Sequence, residues 1–194
     1  MKKTETVYRE ILYQAIEKEN RSLTQAALAR KLKISLSTVN LAITPLARTG
    51  AVTVKKRGLE IREPRKILYH WASARNLGKD VIYQTRVNVP VLEMEKNMPD
   101  DAIYAAYSAY KLKFKEVPAD YSEVYVYGEE SIKRLFPQSK GIPNLFVLRK
   151  DAAIESYGKV ATLASIFVDL WNIREWYAGD FLKALEGKIG RILE

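Results

Sequence analysis

The sequence has no cysteine and only one histidine, His70. Without thiols there are no disulfides, thiolate metal sites or cysteine nucleophiles, and a lone imidazole excludes a histidine-rich metal cluster. This usage fits an intracellular chain, and a cytoplasmic location is expected. Long hydrophobic runs are also missing. The longest uncharged apolar stretch, VATLASIFV at 160–168, falls far short of the roughly 20 residues that span a bilayer. The opening MKKTETVYRE holds no apolar core of a targeting segment, so no membrane partner is expected. There is no Gly-rich phosphate loop, no GxSxG elbow and no HExxH helix. The carboxylates Asp100, Asp101, Asp120, Asp151, Asp169 and Asp180 lack the paired spacing of a two-metal nucleotidyltransferase centre. The expectation is a protein that is not an enzyme and takes no metal or cofactor.

What is present is charge of one sign in one place. Residues 1–80 hold 17 Lys and Arg against 7 Asp and Glu, whereas residues 81–194 hold 15 against 16. The whole positive excess therefore sits in the first part of the chain, where it reads either as a solvated surface or as the footprint of a polyanion.

The patterning decides between them. Val7, Ile11, Leu12, Ala15 and Ile16 recur at helical spacing over about Thr6 to Lys18, with Arg9, Glu10, Glu17 and Lys18 elsewhere on the wheel. Asn20, Arg21 and Ser22 break this helix. A second helix follows, LTQAALARKL, with Thr24 as its N-cap and Ala27, Leu28 and Leu32 facing inward. A third starts near Ser35, carries Val39, Ile43 and Leu46 on one side, and is stopped by Gly50. Pro45 inside it removes an amide donor, which predicts a kink and a separate short piece over Ala47 to Thr49. Then AVTVKKRGLEI reads as two short strands joined by the basic tip Lys55-Lys56-Arg57-Gly58.

Three short helices and a basic hairpin describe a winged helix-turn-helix. With Val39, Ile43 and Leu46 pinned to the core, Ser35, Ser37, Thr38, Asn40, Leu41 and Thr44 fall on the outer surface. Ser, Thr and Asn compete with the helix backbone for hydrogen bonds, so stability does not favour them there. Small polar side chains do let a helix enter a major groove about 12 Å wide, where Asn pairs with adenine and Ser or Thr with various base edges. Leu36 or Leu41 is suited to a thymine methyl. Lys55, Lys56 and Arg57 at the wing, Lys33 and the helix start at Thr24 are suited to backbone phosphate.

Beyond the wing, EPRKILYHWASARNLGK predicts a connecting helix over about Pro64 to Asn76, ended by Gly78, with Ile67, Leu68, Trp71 and Ala72 on its apolar face. His70 within it reads as structural or surface. RVNVPVLEM (86–94) and EVYVYGE (123–129) alternate like strands, NLFVLRK (144–150) reads as a buried strand, and DDAIYAAYSAYKL (100–112) as a helix with Asp100 and Asp101 at its positive end. Residues 161–190 give two helices. Tyr104, Tyr107 and Tyr110 recur every third residue and read as packing against the sheet. Tyr125 and Tyr127 share a strand face opposite Val124 and Val126. Asp169, alone in the apolar SIFVDLWN, reads as a satisfied structural acid.

The fold class expected is α+β: a winged helix-turn-helix over 1–62, a connecting helix and linker over 63–80, and a C-terminal mixed α+β domain over 81–194. The order winged helix, ILYHWA, DDAIYAAYSAYKL, EVYVYGEESIKRLF, NLFVLRK and ASIFVDLWNIREWYAGDFLKAL resembles the AbiEi family, the antitoxins of type IV toxin–antitoxin (abortive infection) systems and related regulators. The resemblance implies an N-terminal domain that binds double-stranded DNA at inverted repeats and represses its own operon. It implies a C-terminal domain that counteracts a nucleotidyltransferase-like toxin encoded next door. Two copies would meet on such an operator, as a preformed homodimer or as monomers joined on DNA. The alternative is a protein-interaction or effector module that the winged helix delivers to DNA without any toxin partner.

Overall fold

The computed structural model describes residues 1–193. Its first helix, α1 (Lys3–Glu17), buries Val7, Ile11, Leu12, Ala15 and Ile16, the stripe legible in the sequence. The polar side of the wheel is buried too, with Arg9 fully enclosed and Glu5 and Glu10 nearly so. Buried charges need partners. Arg9 meets Asp151 through two hydrogen bonds of 2.7 and 2.6 Å, and Glu10 accepts from Lys31 at 2.7 Å and from the Tyr157 hydroxyl at 2.6 Å. α1 is a central rod.

After a short strand β1 (Ser22–Leu23) come α2 (Gln25–Leu32), α3 (Leu36–Arg48), β2 (Val52–Lys55) and β3 (Gly58–Ile61). The three strands form an antiparallel sheet in the order β1-β3-β2. Ser22, expected only to help interrupt the helices, thus joins Leu23 in the third strand. In α2, Leu28 and Leu32 are buried as expected, while Ala27 is only half-buried. Pro45 does not split α3, which runs unbroken through it to Arg48. The carbonyl that loses its donor belongs to Leu41, a residue 66% exposed, so the missing bond is not lost in a buried setting.

The connecting helix α4 (Pro64–Ala74) begins with proline, whose missing N–H costs nothing at that position. It buries Ile67, Leu68, Trp71 and Ala72. It stops earlier than Gly78, because Arg75 turns extended and enters a buried ionic cluster with Glu5, Asp80 and Asp169. A 3-10 turn over Leu77–Asp80 follows.

The second half contains β4 (Val81–Thr85), α5 (Val91–Lys96), β5 (Ile103–Ala105), α6 (Ala106–Phe114), β6 (Val124–Gly128), α7 (Ile132–Leu135), β7 (Leu145–Arg149), α8 (Leu163–Trp171) and α9 (Ala178–Leu193). Its sheet runs β4-β7-β6-β5, with β6 and β7 parallel and the outer pairs antiparallel. Tyr125, Tyr127 and Leu148 face the core that contains α1, α6, α8 and α9; Val124, Val126, Leu145 and Val147 face a smaller core with Met94 of α5 and Ile132 of α7.

Two expectations fail here. Residues 86–94 are not a strand: the strand lies just before them, and Pro90 starts α5. The alternation of Val87, Val89 and Val91 is fortuitous. DDAIYAAYSAYKL is not one helix, because Ile103–Ala105 pair with Tyr125–Tyr127 as an edge strand and α6 begins only at Ala106. Asp100 and Asp101 therefore cap no helix and instead pair with Lys159 and Lys150. Tyr104 is on the strand, while Tyr107 and Tyr110 on α6 are buried against Phe181 of α9.

Candidate nucleic-acid interface

The turn between α2 and α3 is built from capping bonds. Thr24, in extended conformation, accepts a hydrogen bond from the Ala27 N–H at 3.1 Å and starts α2. Lys33 ends α2 in the left-handed region (φ 53°), its N–H directed at the Ala29 and Arg30 carbonyls. Ser35 then caps α3 by accepting from the Thr38 N–H at 3.2 Å. Its hydroxyl also lies 2.8 Å from that of Ser37 and 2.9 Å from that of Thr38.

The underside of α3, formed by Val39, Ala42, Ile43 and Leu46, is buried to 1% exposure or less. Its outer side carries Ser37, Asn40, Leu41 and Thr44, all exposed, with Thr38 half-buried. No part of the second half covers these positions. They are not chemically equal, however. The Thr44 hydroxyl donates to the Asn40 carbonyl at 2.8 Å, and Ser35, Ser37 and Thr38 share the cap network. The Asn40 amide makes no hydrogen bond within the described residues, so its two donors and its acceptor are all available.

At the wing, Lys55, Lys56 and Arg57 are all exposed. Lys55 lies 2.5 Å from Glu60, a carboxylate that Arg62 also approaches at 3.3 Å. The Lys55 hydrogen bond holds the Glu60 carboxyl below its ordinary range. Lys56 and Arg57 have no ion-pair partner among the described residues. Gly58 closes the tip: a Cβ there would stand 2.7 Å from the Leu23 carbonyl oxygen, so only glycine lets β3 lie this close to β1. A groove results, with Thr24, Gln25, Ala26 and Leu36 on one wall and Lys55, Lys56, Arg57 and Gly58 on the other. Thr24 and the three wing cations thus come together. Lys33, exposed at the far end of α2, is not in that groove.

Residues 9–53, from within α1 to the middle of β2, match the family described as winged helix-turn-helix DNA-binding. The N-terminal unit is a winged helix-turn-helix of the DNA-binding, transcription-regulator type. Neither the curated proteins nor the solved structures yield a match.

Several residues of the winged helix belong to this surface although the sequence did not single them out as contacts. Arg30 and Arg48, in the last turns of α2 and α3, are exposed and have no ion pair among the described residues. Gln25 lines the groove, across from the wing and beside the already assigned Leu36. The available signal was position, since Gln25 directly follows Thr24 and the two arginines stand in the last turns of their helices.

Elsewhere, Asp169 is fully enclosed between Arg75 Nε at 3.3 Å and the Tyr127 hydroxyl at 2.5 Å. Burial pushes its carboxyl above the ordinary range against the pull of Arg75. His70 is half-buried, edge-on to Tyr8. Among the described residues, no three His, Asp or Glu side chains are placed to hold a metal ion, and no helix is long and apolar enough to cross a membrane.

Proposed function

We propose that this chain is a sequence-specific regulator of transcription that binds double-stranded DNA, with the outer side of α3 in the major groove. Asn40, whose side-chain amide makes no hydrogen bond among the described residues, reads a base edge; Ser37, Thr38 and Thr44 offer further polar contacts, and Leu36 and Leu41 suit a thymine methyl. Lys56 and Arg57 bind phosphate at the wing, and Lys55, Lys33, Thr24 and Ser35 contribute beside them. The observation that carries this reading is the free Asn40 amide on an uncovered helix face, together with Lys56 and Arg57 at the wing, which have no ion-pair partner among the described residues. In this arrangement residues 1–62 contact DNA, 63–80 connect, and 81–194 form the effector half.

Selection from a random duplex pool tests it. An enriched sequence, with an inverted repeat if two copies bind together, is the expected result. At about 4–6 phosphate contacts per protomer, log affinity falls against log salt with a slope near about −4 to −5. No enrichment, or binding indifferent to salt, would count against the assignment.

The finer reading, an AbiEi-like antitoxin that represses its own operon and opposes a nucleotidyltransferase-like toxin, is supported by the order of sequence motifs. Co-expression with a nucleotidyltransferase toxin encoded beside this gene tests it. Growth should recover; persistent arrest would remove the antitoxin role while leaving DNA binding intact.

A further inference from the structure

Beyond the end of α4, far along the chain from the wing, a cleft of about 700 Å³ opens between the 3-10 turn, β4, the β6–β7 face and the residues that follow α8. Its floor is the pair Tyr125 and Phe146, stacked with ring centroids 4.6 Å apart and planes 8° from parallel. Trp171, 45% exposed at the end of α8, lines it as well. Helices cover this sheet face over β5 and β6, but Phe146 is only half-buried and Gln84 of β4 is exposed.

The rim is polar and under-used. The Gln84 amide makes no hydrogen bond within the described residues. Asn172 spends its Nδ2 on the Ala72 and Val168 carbonyls at 3.1 and 3.0 Å, which leaves its Oδ1 as an open acceptor. Arg174 and Glu175 stand at the same rim, one cation and one anion, neither ion-paired among the described residues. Their adjacency without a shared bridge leaves both charges available.

An aromatic floor bordered by one free cation and one free anion complements a small molecule with a flat ring, a carboxylate and an ammonium. We infer that the cleft binds a free aromatic α-amino acid, or a zwitterion of the same build. The ring lies against Tyr125, Phe146 and Trp171, the carboxylate meets Arg174, and the ammonium meets Glu175. The cleft is of a size usual for such ligands, and aromatic lining with a few polar groups is the usual composition. Nothing in this inference depends on which DNA sequence, if any, the winged helix reads.

The test is titration of the full chain with L-phenylalanine, followed by calorimetry and by tryptophan emission, to which Trp171 contributes alongside Trp71 and Trp176. A saturable change is expected. Arg174→Ala and Glu175→Gln should each weaken binding by about tenfold, the worth of one charge-assisted contact. Glycine, which has the charges without the ring, should fail to bind. Arg174 is exposed and Glu175→Gln keeps the shape of a half-buried side chain, so both should unfold as wild type does, and lost binding then reports the contact. The inference is overturned by the absence of a saturable change, by both variants binding as tightly as wild type, or by toluene binding as tightly as phenylalanine. A protein partner captured at Trp171 and not displaced by phenylalanine would also overturn it.

Discussion

Two groups of cations in this chain contrast in a way that sequence alone does not show. Around α1, Arg9 and Arg75 have side chains at most 1% exposed, with Asp151 opposite the first and Glu5, Asp80 and Asp169 around the second. On the outer side of the winged helix, Lys56, Arg57, Arg30 and Arg48 face solvent with no ion-pair partner among the described residues. The first set joins the two halves of the molecule and has no charge to offer. The second set contributes little to the fold and is available to an anion. A net charge therefore says less about a partner than the number of cations left unpaired on one face.

The sharpest way to break this division is at Arg9. Arg9→Ala leaves Asp151 without its partner in the junction and should cost about 3–5 kcal/mol in urea unfolding. The pair also has a pH signature. Burial alone would raise the Asp151 carboxyl, but the Arg9 hydrogen bonds and charge override it and hold the group below its ordinary range. A depressed carboxylate stabilises the fold above its unfolded pKa, about 3.9, and that contribution is lost as pH falls through the folded value. Wild type should thus lose stability more steeply than Asp151→Asn below about pH 4.

A smaller effect, on binding alone, is expected at the wing. Lys56→Ala with Arg57→Ala should weaken every duplex alike and flatten the salt slope by about two, while stability stays within about 0.5 kcal/mol. Lys55→Ala should change the slope less than Lys56→Ala, because Glu60 already neutralises Lys55. Equal slopes for these two single variants would show that the Glu60 pair does not persist on DNA. Smallest of all, Ser35→Ala removes the α3 cap and should cost about 1 kcal/mol of thermal or urea stability. No loss would mean that the hydroxyl serves DNA rather than the helix.

Much of the N-terminal unit was legible because α2 and α3 bury one clean stripe each: Val39, Ile43 and Leu46 alone place the outer face of α3. The junction was not legible. Arg9 and Glu10 look like solvent residues on a wheel, and their partners Asp151 and Tyr157 lie more than a hundred residues away in sequence. Local pattern also misled where pairing is tertiary. The Ala- and Tyr-rich run from Asp100 reads as helix, yet Ile103–Ala105 are drawn into the sheet by β6. Alternating valines after Arg86 imitate a strand that ended at Thr85. In the candidate interface, positions could be read from the sequence but availability could not. Only the structure separates the free Asn40 from Thr44 and Ser35, whose hydroxyls are engaged with backbone.

The central claim is that α3 discriminates bases through the unoccupied amide of Asn40. Affinities of wild type and Asn40→Ala, measured at one salt concentration for the selected duplex and for duplexes altered at each position in turn, test it most directly. The expected outcome is a loss of about 1–3 kcal/mol on the selected duplex, with discrimination relaxed at one position and binding to scrambled DNA unchanged. Full discrimination retained by Asn40→Ala would contradict the account.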